Sequence, residues 1–254
     1  MNRRQLGTRK RIARALALAL LLAIVPAGAL AQGETAYVVQ AGDWLARIAA
    51  QQYGDWKLYP AIVLSTNARA QGDSAYATIG DPYRIEPGWK LSIPSAESAR
   101  EGWTVDTLRN AEYPSEWTQS GRAQLVDGEY SEAIVPGAAS RIVVKLYERM
   151  AFGHTVEGAP MAAAILYTNA GGSGTFGDLY AVAGREGQPV VMAVTSLGDR
   201  VQVEALAIEG SDIVAQMVTH GPDDPMCCPT QRVRARYALQ GDQWTETARE
   251  VVAP

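Results

Sequence analysis

A His, two Asp and two Cys fall within nine residues in HGPDDPMCCPTQ, positions 220–231. Imidazole and thiolate are ligands for Zn or Cu(I), so His220, Cys227 and Cys228 have the right donor types for a soft-metal site. Adjacent cysteines splay their sulfurs, however, and the neighbouring prolines stiffen the loop. A vicinal disulfide between Cys227 and Cys228, a pair of free thiols, and intermolecular pairing stay open beside the metal reading, and no metal site is assigned. Hydrolysis would need a nucleophile with a paired base, a metal cluster, or two well-placed carboxylates. The two histidines, His154 and His220, lie in no peptidase or amidase motif, and Cys227-Cys228 lacks the Ser-Gly or Gly-Ser context of a thiol nucleophile. Asp223-Asp224 is either an acid/base pair or a solvated turn. GGSGTFG (171–177) has the glycines of a phosphate cradle but no following Lys-Ser/Thr, which favours a hairpin turn. Arg232, Arg234 and Arg236 alternate with apolar residues and share one strand face, as a solvated face or an anion site. No catalytic residue and no cofactor is assigned, and the chain is expected not to be an enzyme.

The elements that must position these residues differ along the chain. Tyr37 to Val39 are β-formers ending at Ala41-Gly42-Asp43, with Asp43 expected as the cap of a short helix whose apolar face is Leu45, Ile48 and Ala49. Gly54 supplies a helix stop and Asp55 caps the second helical segment. Pro60 falls in a first helical turn, where a missing N–H is tolerated. Ile62 and Val63 continue the inward face and Asn67 is expected to close it. Ala68–Pro82 has no period and is longer than a compact connection requires. Glu86-Pro87-Gly88 has the chemistry of a type II turn before a strand over Lys90–Ile93. The order is β-α-α-β.

These landmarks resemble the lysin motif (LysM) carbohydrate-binding module. They run in order through the Y-V-V opening, Gly42-Asp43, Leu45, Ile48-Ala49, Tyr53-Gly54, Ile62, Asn67 and Ile85-x-Pro87-Gly88-x-x-Leu91-x-Ile93-Pro94. The resemblance covers Tyr37–Pro94, roughly a quarter of the chain. It implies a βααβ fold with a shallow groove for N-acetylglucosamine-containing polymers such as peptidoglycan or chitin. By position, Gly42, Asp43, Trp44 and Leu45 would line one side and Ile85, Glu86, Pro87 and Gly88 the other. Trp44 departs from the small hydroxyl residue usual there; it either stacks on a sugar ring or covers the small core. The Ala68–Pro82 loop is a second departure, lengthening the groove or blocking part of it.

From Trp103 the pattern changes to period two. Strands are expected at Arg122–Val126, Arg141–Met150, Ala162–Tyr167, Leu179–Val182, Val190–Thr195, Val201–Ile208, Ile213–Val218 and Arg232–Leu239, with a helical turn or two at Val105–Asn110. Turn clusters, among them Asp127-Gly128, Glu186-Gly187 and Gly241-Asp242, argue for an antiparallel meander. NAEYPSEW, LVDGEY, GGSGTFGDLYAV, LGDRVQV and HGPDDPMCCPTQ together are similar to an uncharacterised domain of exported bacterial proteins and lipoproteins, which implies no activity. Members often carry a calcium-loop-like turn where this chain has AFGHTVEGAP, and His154 and Glu157 supply no run of oxygen ligands.

Residues 1–31 combine six basic residues, an apolar run and Ala29-Leu30-Ala31, the pattern of a secretory leader cut before Gln32. Retention as a membrane anchor is the alternative. Removing six of 23 Lys+Arg and none of 27 Asp+Glu leaves 17 against 27, a net charge of −10. That balance argues against nucleic acid as a partner. The expectation is an α+β protein: leader 1–31, a small βααβ LysM module over 32–94, a linker over 95–103, and a mainly antiparallel β domain over 104–254. The expected role is a secreted or extracytoplasmic bacterial protein, bound to cell-wall peptidoglycan or another N-acetylglucosamine polymer, with no stable membrane span. The alternatives are a cell-wall glycan hydrolase using acids of the second domain and a surface protein-interaction module.

Overall fold

β1 (Thr35–Val38) and β2 (Lys90–Ile93) form an antiparallel pair in which Tyr37 lies opposite Leu91. This is seen in a computed structural model that describes residues 33–185, 188–240 and 243–252. The expected leader and the turn pairs Glu186-Gly187 and Gly241-Asp242 lie outside the described residues. Between the two strands run α1 (Leu45–Tyr53), a 3-10 turn (Trp56–Leu58) and α2 (Tyr59–Ala70). α1 stops at Gly54, whose φ of 78° is the left-handed conformation a helix stop requires. The Asp55 carboxylate accepts the Lys57 N–H and starts the next turn. α2 does not close at Asn67 as expected but runs on to Ala70, and the Asn67 side chain bonds the backbone of Ile79 rather than ending the helix.

The segment 95–103, expected as a linker, is helical. α3 (Ala96–Glu101) is capped by the Ser95 hydroxyl and buries Ala99. Its small, charged composition is that of a capped surface helix, which the count of polar residues alone does not distinguish from a linker. α4 (Val105–Arg109) comes next, with a reciprocal cap between Thr104 and Thr107.

The remaining elements are antiparallel strands, which makes the chain α+β with mostly antiparallel sheets. β3 (Glu112–Pro114) and β4 (Arg122–Gln124) form a hairpin. A five-stranded sheet then runs in sequential order: β5 (Glu129–Ala133), β6 (Arg141–His154), β7 (Pro160–Asn169), β8 (Phe176–Arg185) and β9 (Gln188–Asp199). A four-stranded sheet completes the chain with β10 (Gln202–Glu209), β11 (Asp212–Thr219), β12 (Gln231–Gln240) and β13 (Gln243–Val251). The sequence pattern missed β3, β5 and β13. β3 is only three residues long, and β5 (EYSEA) and β13 (QWTETAREV) carry too few apolar residues to show the alternation.

The five-stranded sheet is buried on both faces. Along β7, Ala162, Ala164 and Leu166 join one core while Met161, Ala163 and Ile165 join the other. The first core includes Tyr59, Ile62 and Ile79 from the helical segment, and the Tyr59 ring meets Phe152 edge-on at 5.7 Å. The second lies against Leu206, Ile213, Met217 and Val233 of the four-stranded sheet. The layers are therefore helices, sheet and sheet. Gly153 lets β6 and β10 close up, since a Cβ there would fall 2.6 Å from Ile208 Cγ2. Among the described residues, no helix is long and apolar enough to cross a membrane.

Candidate functional site

The loop leaving β1 and the loop entering β2 share one end of the strand pair. Val39 donates its N–H to the Trp89 carbonyl and Gly88 donates to the Val39 carbonyl, both at 2.9 Å. The second loop is built by Trp89 N–H donating to Glu86 O, with Gly88 at φ 91°, so Pro87-Gly88 occupies the centre of a type II turn. This ladder brings residues 40–45 beside 85–89.

Asp43 is not the helix cap. Trp44 takes that position with extended backbone and no side-chain cap. The Asp43 carboxylate instead receives the Gln40 N–H at 2.8 Å and the Tyr37 hydroxyl at 2.7 Å, both on Oδ2. These two bonds, Gln40 first, hold its carboxyl below the usual range, and the same contact pushes the Tyr37 hydroxyl up. An Asp two residues before a helix can serve the turn or the helix, and here the turn wins because Tyr37 reaches back to it.

Trp44 is 55% exposed, so it is not part of the small core, and the Arg47 guanidinium lies 5.2 Å from its ring centroid. Leu45 is 1% exposed and belongs to the core. Ile85 is half-buried against the core, while Glu86, Pro87 and Gly88 border the opening. Of the eight expected groove residues, the structure thus brings the two turns together but withdraws the Leu45 side chain.

The Ala68–Pro82 loop turns toward the sheets. Asn67 Nδ2 donates to Ile79 O at 2.9 Å and Asn67 Oδ1 accepts the Ile79 N–H at 2.7 Å, which fixes Ile79 in the core. The adjacent Gly80 carbonyl accepts the Ile208 N–H of β10 at 3.1 Å. Tyr83 donates its hydroxyl to the Glu148 carbonyl of β6. The extra residues dock the helical segment onto the strands, a third option beside lengthening or blocking the groove.

In the 220–231 loop, Cys227 and Cys228 are joined as a vicinal disulfide, exposed at the surface. Asp224 organises the loop from inside by accepting Gly221 N–H at 2.8 Å and both Thr230 N–H and its hydroxyl at 2.7 Å. Those bonds hold its carboxyl below the ordinary value. His220 Nε2 pairs with the Met226 carbonyl, and Arg200 donates to that same carbonyl. Among the described residues, no group of three or more His, Cys, Asp or Glu is placed to hold a metal ion. Arg232, Arg234 and Arg236 are engaged by Glu204, Glu209 and Asp212 in a cross-strand ladder on the outer face of the four-stranded sheet. GGSGTFG is a hairpin turn in which Asn169 Nδ2 donates to the Gly172 and Gly174 carbonyls.

Sequence reasoning passed over Asp178. It is only 7% exposed, in the apolar run of β8, directly opposite Ser196 of β9. It lines a cavity of about 220 Å3 between these strands and residues 114–116. Burial pushes its carboxyl up from the ordinary value; Ser196 and Trp117 offset part of the rise, and the negative charge of Glu116 adds to it. The signal was present in FGDLYAV, where an acid two residues before Tyr180 shares that residue's inward face.

Comparison of the chain with protein-family models, with characterised proteins and with solved structures yields no match.

Proposed function

We propose that the chain is an exported bacterial protein with a LysM-like segment over residues 32–94, which attaches non-covalently to an N-acetylglucosamine-containing glycan, peptidoglycan or chitin-like. The observation that carries this reading is the ladder through Val39, Gly88 and Trp89, which sets two turns side by side with the exposed Trp44 ring at their edge. Backbone N–H and C=O groups of such turns suit an acetamido group, and an exposed indole face suits the C–H face of a sugar ring. Ionised Asp43, fixed by Tyr37 and Gln40, stiffens the first turn before any ligand arrives. A single site of this kind implies modest affinity, because it gains no avidity from tandem copies.

The test is retention of the intact chain on purified peptidoglycan and on chitin. Trp44→Ala should weaken retention about tenfold, the effect of losing roughly 1.4 kcal/mol of stacking. Unchanged retention by that variant, or none by the native chain, rejects the reading. Release of soluble sugar during the incubation would instead support the hydrolase alternative.

A further inference from the structure

The cavity at Asp178 lies apart from the turns at 42–45 and 85–88 and has its own chemistry. Its floor is one face of β8 and β9, where Asp178 pairs with Ser196 and Tyr180 pairs with Val194. Its roof is the chain leaving β3, held down by the Tyr180 hydroxyl, which donates to the Pro114 carbonyl at 2.8 Å. Both charged residues in its lining, Asp178 and Glu116, are acids. A second observation points the same way. Asp178 is only 7% exposed, yet its carboxylate belongs to the cavity lining rather than to the outer surface. A buried carboxylate is costly unless something in the cavity completes it.

We propose that this cavity is a binding site for a small ligand bearing a protonated primary amine. An ammonium group has three N–H donors and no acceptor. It would give one donor each to the Asp178 carboxylate, the Ser196 hydroxyl and the Glu116 carboxylate, all of which line the cavity. Its charge would offset both the desolvation of Asp178 and the repulsion from Glu116, which a neutral guest cannot do. Pro114 and Val194 would contact a short carbon chain. Size is compatible, since a cavity of about 150 Å3 holds a six-carbon ring and this one is about 220 Å3. An amino sugar and an aliphatic diamine or lysine-type chain share the recognised group.

The experiment is calorimetric titration of the intact chain with n-butylamine hydrochloride at pH 7.5 in phosphate buffer, with n-butanol as the uncharged control of similar shape. Saturable one-to-one binding of the amine without binding of the alcohol is expected. Asp178→Asn should weaken it by about thirtyfold or more, as removal of one partner from an enclosed charge pair does. Glu116→Gln, on an exposed residue that folding does not need, should weaken it severalfold and decides the matter if the first variant fails to fold. Equal binding of amine and alcohol, no binding of either, or amine binding unaffected in both variants overturns the proposal. Glucosamine and cadaverine then separate the two sources, and tighter binding of either over butylamine supports the site and names its ligand class. N-acetylglucosamine has no ammonium group, so glycan retention through Trp44 should survive Glu116→Gln. The two readings therefore fail independently.

Discussion

Asp178 carries a liability in the unliganded protein that can be read from its pH dependence. Its folded-state pKa is raised by burial, so the native state holds the proton more tightly than the unfolded chain. Stability is therefore undiminished below the unfolded Asp value near 3.9 and falls as pH rises through the window up to the raised native value. Asp178→Asn should accordingly raise Tm at pH 7, by about 2–4 °C for each 1 kcal/mol recovered in a chain of this size. The difference from the native chain should shrink toward pH 4, as followed by thermal melts across that range. His154 has the opposite sign. Burial lowers its folded-state pKa, so the unfolded chain binds the proton better and stability is lost as pH falls below about 6.5. His154→Gln should flatten the decline in Tm between pH 7 and 5. The spacing from Tyr180 indicates which face Asp178 shares, but how deeply it or His154 is covered cannot be read along the chain, because an Asp or His in a strand looks the same whether its face meets water or a hairpin roof.

At the scale of elements, Asn67 connects a helix to the loop beyond it. Its amide satisfies both the N–H and the carbonyl of Ile79, a residue with no exposed surface. Asn67→Ala would leave both backbone groups unpaired in the core and should cost about 2–4 kcal/mol, measured by urea unfolding with m unchanged. Much of the local architecture was legible. Gly54 as a stop, Asp55 as a cap and Pro87-Gly88 as a turn follow from φ preferences and short side-chain reach, which act within a few residues. The cap position at Trp44, the length of α2 and the helix at 96–101 were not legible. Each depends on a partner farther along the chain or on a buried face, as with Tyr37 claiming Asp43 and Ala99 finding the core. Of the candidate site, the two turns and their residues were visible in the pattern, whereas the inward aim of Leu45 was visible only as part of the helix's apolar face.

At the scale of the molecule, the core that begins at Val39 continues without interruption to Val182, through Tyr59, Phe152 and Tyr180. Phe152→Ala should therefore lower stability by about 3–5 kcal/mol and loosen the helical segment with it. Hydrogen exchange at Ile62 and Val63 would rise if the packing is shared, and would be unchanged if the segment stood alone. Gly153→Ala drives a Cβ against Ile208 and should cost about 1–3 kcal/mol through overpacking, read from the same urea midpoints. Met161–Leu166 alternate between the two cores. A strand buried on both faces shows a continuous apolar run, which has the same appearance as a buried helix.

What the sequence alone determined were the features set by neighbours along the chain: a β-α-α-β opening, antiparallel hairpins with their turns, and an excess of acid beyond residue 31. What the tertiary structure decided were the features set by contacts across long separations. It turned the Ala68–Pro82 loop onto β10 through Gly80 and Ile208, and covered the central sheet on both sides. It also enclosed Asp178 beside Ser115 and Glu116, which lie far from it in sequence. Local preferences come from backbone sterics and short hydrogen bonds, so they survive in the linear text. Burial depends on which surfaces meet, and only the folded chain brings those surfaces together.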